Sequence, residues 1–184
     1  MLSSPVWRGT PTLAFCAGLV SGGALTALVL LVAGSLLRAP LPAAVRWAVV
    51  AVALGAVLLR ETGVWSFPLP ENRRLVPDTV FRLGRHLGPL QFGLEMGTGV
   101  RTYLPSGLPY VAAVAVALTA PLPAALAAGA GFGLGRALMT TANLRYDPDG
   151  GWDGEWLAHG RKLRWLTAAA FIVPLATVAL LTSA

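Results

Sequence analysis

The chain has 184 residues, of which 55% are hydrophobic and 12% charged, with a mean hydropathy of +0.67 and a net charge of +6. This composition excludes a water-soluble globular domain, and the length suits one integral membrane domain, residues 1–184. Because the basic residues flank apolar runs, they indicate cytoplasmic loops, and we expect no nucleic-acid partner.

Three long runs contain no charged residue: Gly9–Leu37, Thr102–Gly135 and Trp165–Ala184. An α-helix needs about 20 apolar residues to cross about 30 Å of hydrocarbon. The predicted fold class is therefore all-α, a polytopic transmembrane helical bundle with about five spans. The first run is longer than the apolar core of a signal peptide, so we expect it to be a retained span.

In chain order, the first span is expected at about Thr12–Leu37 and the second at about Pro42–Leu59. The loop Glu61–Arg85 is rich in Pro and Arg, and Asp78 within it is a suitable N-cap for a short helix. Thr141–Lys162 is a polar segment containing DPDGGWDGE, which is expected to be a solvated loop. The remaining spans are expected at about Gly107–Ala120, Pro123–Met139 and Leu163–Leu181.

The segment 87–109 is apolar but is interrupted by Pro105 and Pro109. Each proline removes a backbone hydrogen bond and clashes with the preceding turn, so a helix entering this segment should break there. The span Gly107–Ala120 is too short to cross alone at about 1.5 Å per residue. We expect a discontinuous element, or a re-entrant piece followed by a span. In a six-crossing alternative, Leu87–Leu104 is a full span.

Five crossings put the N-terminus and both long loops on one side of the membrane. This side then holds all of the 14 Lys and Arg residues except Arg38 and Arg46. The positive-inside rule predicts that this side is cytoplasmic, and we expect a bacterial plasma (inner) membrane protein. The six-crossing alternative moves the last loop outside.

Ionisable groups at membrane depth are costly, and they tend to mark ion paths or buried partners. Glu95 and Arg101 are six positions apart, about 240° around a helix, so they do not share a helix face. Arg136 and His86 are the candidate partners of Glu95 across helices. Ser106 lies in the proline break, where freed carbonyls and a half-helix start resemble transporter sites. These five residues are the binding candidates. The alternative to a binding site is that this segment lies at the membrane interface, with Glu95 and Arg101 in contact with water and a simple turn at the proline break.

Glycines four positions apart leave a flat helix face that another backbone can approach closely. Such pairs serve either a dimer interface or packing within the chain. Gly129 and Gly133 form one such pair. The glycines assigned to helix packing are Gly18, Gly22, Gly93, Gly97, Gly131 and Gly135.

Motifs for catalysis or cofactor binding do not stand out. His86 and His159 lack the spacing of a metal-binding histidine pair. The acidic patch, the run DPDGGWDGE at residues 147–155, does not have the spacing of a calcium-binding EF-hand loop. The run GAGFGLG lacks the Lys-Ser/Thr of a phosphate-binding loop. We therefore expect no metal, no cofactor and no enzyme activity.

The sequence TYLPSGLPYVAAVAVAL, residues 102–118, resembles the broken helix of the DsbD/CcdA-type thiol-transfer membrane proteins. In that family the break carries Pro-Cys ahead of a further Pro. Here Ser106 replaces the reactive cysteine, and Cys16 is the only cysteine in the sequence. The resemblance therefore implies a shared scaffold and no dithiol exchange as that family performs it.

The function expected first is a non-enzymatic partner-binding or assembly component of the inner membrane. Its partners would be the lipid bilayer and either a second copy of the chain or another membrane protein. The alternative is a small transporter or channel-like subunit that uses the broken element 87–109. A membrane enzyme or redox carrier has the least support.

Overall fold

The computed structural model describes residues 9–69, 78–100, 104, 106–146 and 151–183, and this part of the chain is helical without any strand. A short 3₁₀ helix, Asp78–Leu83, lies in the loop before the third helix. The predicted all-α bundle is thereby confirmed. The α-helices are α1 (Thr10–Arg38), α2 (Ala43–Glu61), α3 (Leu87–Gly97), α4 (Leu108–Thr119), α5 (Leu122–Tyr146) and α6 (Gly151–Ser183).

Four of these helices, α1, α2, α5 and α6, are long and apolar enough to cross a membrane. Their boundaries follow local signals in the sequence. Pro11 lies in the first turn of α1, where its missing N–H costs nothing. Pro40 and Pro42 lie between α1 and α2, and Pro121 lies between α4 and α5. The protein is therefore an integral membrane protein by its architecture.

Helix α1 is the centre of the bundle, because glycines on its surface bring three other helices close to its backbone. Gly22 contacts the backbone of α3 at Leu94, and Gly23 contacts that of α5 at Gly129. Gly34 contacts that of α4 at Ala117. At each of these three positions on α1 a Cβ atom would collide with the neighbouring main chain, so the close approach requires glycine.

Helices α3 and α4 lie end to end along α1 and run in its direction. Gly18 lies beside Leu90 and Gly22 beside Leu94, so α3 follows the first half of α1. Arg38, at the end of α1, donates a hydrogen bond from Nη1 to the carbonyl of Ala120 at 2.8 Å, so α4 follows the second half. The 11 residues of α3 and 12 residues of α4 thus make one discontinuous element.

The remaining helices complete an alternating bundle. Helix α5 is antiparallel to α1, because Gly129 contacts Gly23 while Gly133 contacts the earlier Leu19. Helix α2 is antiparallel to α4. Helix α6 packs on α2 and α4 in one apolar cluster, with Ala168 among its buried members. The described helices therefore make five crossings, with α3 and α4 counted as one, and the N-terminal end of α1 shares one end of the bundle with the connections α2–α3 and α5–α6.

Two expectations from the sequence need correction. The six-crossing alternative is wrong, because α3 has only 11 residues and spans about 16 Å. The solvated loop Thr141–Lys162 is also largely wrong, since α5 continues to Tyr146 and α6 already begins at Gly151. From Gly151 to Lys162 the sequence contains no proline, which suits the helical hydrogen bonding at the start of α6. Asp147 and Asp149 of the acidic patch lie outside the described residues.

Candidate functional site

The break between α3 and α4 lies beside the middle of α1, and local geometry explains why α3 stops there. Gly99 has a φ of 74°, the left-handed conformation that glycine adopts after a helix C-terminus. The N–H groups of Thr98 and Gly99 donate to the carbonyls of Leu94 and Met96, at 3.1 and 3.2 Å. These two bonds close the last turn of α3.

Thr26 connects the break to the middle of the 29-residue α1. Its Oγ1 donates a hydrogen bond to the carbonyl of Thr98 at 3.2 Å. Thr98 in turn donates from its own Oγ1 to the carbonyl of Glu95 at 2.7 Å. The backbone carbonyl freed where α3 ends therefore has a partner on another helix, as burial in a membrane requires.

The start of α4 receives acceptors from both its own loop and α2. The N–H of Gly107 donates to Oε1 of Glu61 at 2.9 Å, and the N–H of Leu108 donates to Oγ of Ser106 at 3.2 Å. A carboxylate is favourable at this place, because the N-terminus of a helix carries a partial positive charge. Glu61 is mostly buried, with 15% of its side chain exposed.

A cavity of about 610 Å³ lies beside the break, between α1, α4 and α5. We call it the break cavity. The residues that line it include Thr26, Val100, Tyr110, Ala128 and Phe132. The volume lies within the roughly 300–1,000 Å³ of small-molecule sites.

A second cavity, of about 330 Å³, lies on the other side of the same break. It is lined by residues of α2, α6 and the start of α4, with Glu61, Ser106 and Arg164 among them. The residues just before α4 thus separate an apolar cavity from one with charged walls.

Glu95 lies on α3, half-buried, close to the break. Its Oε1 accepts a hydrogen bond from Nε2 of Gln91 at 3.3 Å. Arg101 lies outside the described residues, so the structure does not bring this pair together or separate it. Glu95 is not among the described residues that line the break cavity.

The other two candidates lie away from the break. Oγ1 of Thr10 and Nε2 of His86 are 3.1 Å apart, near the ends where α1 and α3 begin. His86 and Glu95 are nine positions apart, about 13 Å along α3 and on opposite faces, so they do not meet. Arg136 lies on α5, half-buried, with its guanidinium carbon 5.8 Å from the ring centroid of Phe132, a lining residue of the break cavity.

The structure divides the helix-packing glycines into two groups. In the first, a Cβ atom would collide with the backbone of a neighbouring helix of the same chain; Gly18, Gly22, Gly93, Gly97, Gly129 and Gly133 belong to it. In the second, Gly131 and Gly135 face outward from α5, and a Cβ atom there would meet nothing within 4 Å. Packing within the chain therefore accounts for the first group.

Sequence reasoning missed Glu61, Thr26 and Thr98 as parts of the site. The sequence places Glu61 at the start of a loop, and its local sequence does not distinguish a carboxylate that meets water from one that caps another helix. The two threonines had no signal of their own, because their hydrogen bond joins residues 72 positions apart.

Comparison with known proteins adds no relative: no family model, no curated protein and no solved structure matches this chain.

Proposed function

We propose that this protein is a small, non-enzymatic membrane protein that binds a ligand in the break cavity and acts as a transporter or channel-like subunit. The observation that carries the proposal is a 610 Å³ cavity beside a broken helix, at the level of the middle of α1. Non-helical backbone at membrane depth is tolerated where it is buried or lines a cavity, and many transporters bind their substrates at such breaks.

We assign the protein to a bacterial plasma (inner) membrane, with its N-terminus and the connections α2–α3 and α5–α6 in the cytoplasm. The distribution of basic residues supports this orientation. Arg38 and Arg46 are the basic residues near the connection between α1 and α2. The other Lys and Arg residues lie in sequence segments that the positive-inside rule assigns to the opposite, cytoplasmic side.

A second candidate function is assembly into a complex, with a second copy or another membrane protein as partner. Two observations favour it. Gly131 and Gly135 present a small-residue face outward from α5, and α6 exposes large apolar residues such as Val173 and Leu180. Lipid also covers such faces, so this candidate ranks behind ligand binding.

The experiment is native mass spectrometry of the purified protein released from detergent. Ala128 lines the break cavity and Ala127 does not, although both are exposed neighbours on α5. If the cavity holds a ligand, the wild type and Ala127→Phe should retain an additional mass that Ala128→Phe loses. The same spectra report oligomers. A ligand-free monomer from all three proteins would refute the binding proposal, and a dimer sensitive to Gly131→Leu would favour assembly.

A further inference from the structure

The break cavity offers a ligand an almost entirely apolar wall. Among the residues that the structure describes around it, no charged side chain lines the cavity. The hydroxyls of Thr26 and Thr98 already donate to carbonyls of the protein, at 3.2 and 2.7 Å. A polar solute entering here would give up its hydrogen bonds to water, and this loss is costly when few partners replace them.

The cavity is open at the side of the bundle rather than at its end. Val100 lines it and is 57% exposed, and Ala128 lines it from the exposed face of α5. The next residue, Gly129, packs against Gly23 near the middle of α1, which fixes the depth of this opening. The span Leu122–Ala142 that carries Ala128 is apolar enough to cross a membrane, so the opening faces acyl chains.

We infer that the break cavity binds the hydrocarbon chain of a membrane lipid, which enters sideways from the bilayer between the exposed positions Val100 and Ala128. This inference rests on the proposed function and names the class of its ligand. The ligand of the protein would thus be a lipid rather than a water-soluble solute.

The break cavity should select among lipid chains by their shape rather than by their hydrophobicity. Lipid tails are as apolar as the protein wall, so moving a chain from the bilayer into the cavity gains little from the hydrophobic effect. The gain comes from van der Waals contacts that the cavity lining lacks when it is empty. Phe132 and Tyr110 supply rigid surfaces from two different helices for such contacts. Chains that fill the cavity closely should therefore bind in preference to others.

The test is photolabelling of the full-length protein in phosphatidylcholine nanodiscs with two probes. One probe is phosphatidylcholine with a diazirine near the end of an acyl chain, and the other is a water-soluble diazirine of similar size. Peptide mass spectrometry compares labelling of α4 residues that line the cavity, Ala112, Ala113 and Val116, with labelling of Leu166 on the outer face of α6. Ala128→Phe is compared with Ala127→Phe. Ala113→Phe fills the cavity from α4 if Ala128→Phe does not fold.

The chain probe should label the cavity peptide in the wild type and in Ala127→Phe, and Ala128→Phe should reduce this labelling roughly tenfold while Leu166 is labelled equally. Equal cavity labelling in both variants would overturn the inference, because it would come from lipid outside the bundle. Cavity labelling by the water-soluble probe alone would also overturn it. In that case an additional mass in native spectra would leave the proposed function standing, whereas its absence would remove both.

Discussion

The backbone N–H of Gly107 donates a hydrogen bond to Oε1 of Glu61, with an N···O distance of 2.9 Å. This bond joins the last residue of α2 to the residue before α4, 46 positions later. Nη1 of Arg60 lies 3.9 Å from the same carboxylate oxygen. The half-helix that begins at the break is therefore capped by another span, and the position of α4 depends on the end of α2.

Removal of the Glu61 side chain should destabilise the bundle. Glu61→Ala leaves the N–H of Gly107 without its acceptor, and hydrogen bonds to charged groups contribute about 1.5–3 kcal/mol. Glu61→Gln keeps an oxygen at the same place and should lose less. The measurement is unfolding in a denaturing detergent, followed by circular dichroism. Equal stability of Glu61→Ala and the wild type would show that water replaces this bond.

Gly22 of α1 and Gly131 of α5 should respond differently to substitution by alanine. A methyl group at Gly22 would collide with the carbonyl of Leu94, and overpacking of this kind costs about 1–3 kcal/mol. Gly131→Ala is the matched control, because a methyl group there meets nothing within 4 Å. Detergent unfolding should show a loss for Gly22→Ala and none for Gly131→Ala. A change of oligomeric state in Gly131→Ala, seen by sedimentation, would instead identify α5 as an interface between proteins.

The hydrogen bond between Thr26 and Thr98 should contribute measurably to the stability of the break. Thr26→Val keeps the shape but removes the donor, and interhelical hydrogen bonds in membranes contribute about 0.6 kcal/mol on average and up to about 1.7 kcal/mol. Ser21→Ala is the control, because Oγ of Ser21 bonds to the carbonyl of Ala17 within its own helix. If the two variants unfold alike, the break does not depend on Thr26.

The alternating bundle predicts which positions share a side of the membrane. Single cysteines replacing Trp65 and His159, in a Cys16→Ser background, should react with a membrane-impermeant maleimide only after the cytoplasmic side is opened. A cysteine at Ala39 should react in intact cells. Labelling of Trp65 and His159 from opposite sides would contradict the bundle. If both positions are labelled from outside and Ala39 is protected, the helix arrangement is right but its orientation in the membrane is the reverse.

Cys16 should have no redox role. It packs beside the buried pair Phe15 and Leu19 on α1, and this sequence holds no second cysteine with which it could cycle between dithiol and disulfide. Cys16→Ser should therefore keep the ligand mass seen in native spectra and the wild-type amount in the membrane. Loss of the bound mass at normal protein levels would revive a thiol function.

The sequence predicted a break near Pro105 and Pro109, and a break lies between α3 and α4. Its position differs from the prediction, because α3 already ends at Gly97 and Pro109 lies in the first turn of α4. The sequence suggested five binding candidates, but it did not predict that Glu61 would cap α4. A carboxylate has the same local pattern whether it meets water or a helix start, so the partner depends on how distant segments pack.

The sequence by itself determined that the chain crosses a membrane and roughly where each span lies. This is possible because transfer into hydrocarbon depends on the side chains of one segment at a time. Only the tertiary structure decided that α3 and α4 form one crossing along α1, and that Gly22 and Gly23 face two different helices. Helix pairing depends on close contact between surfaces that are far apart in the chain, and many glycine faces look alike until one of them meets its partner.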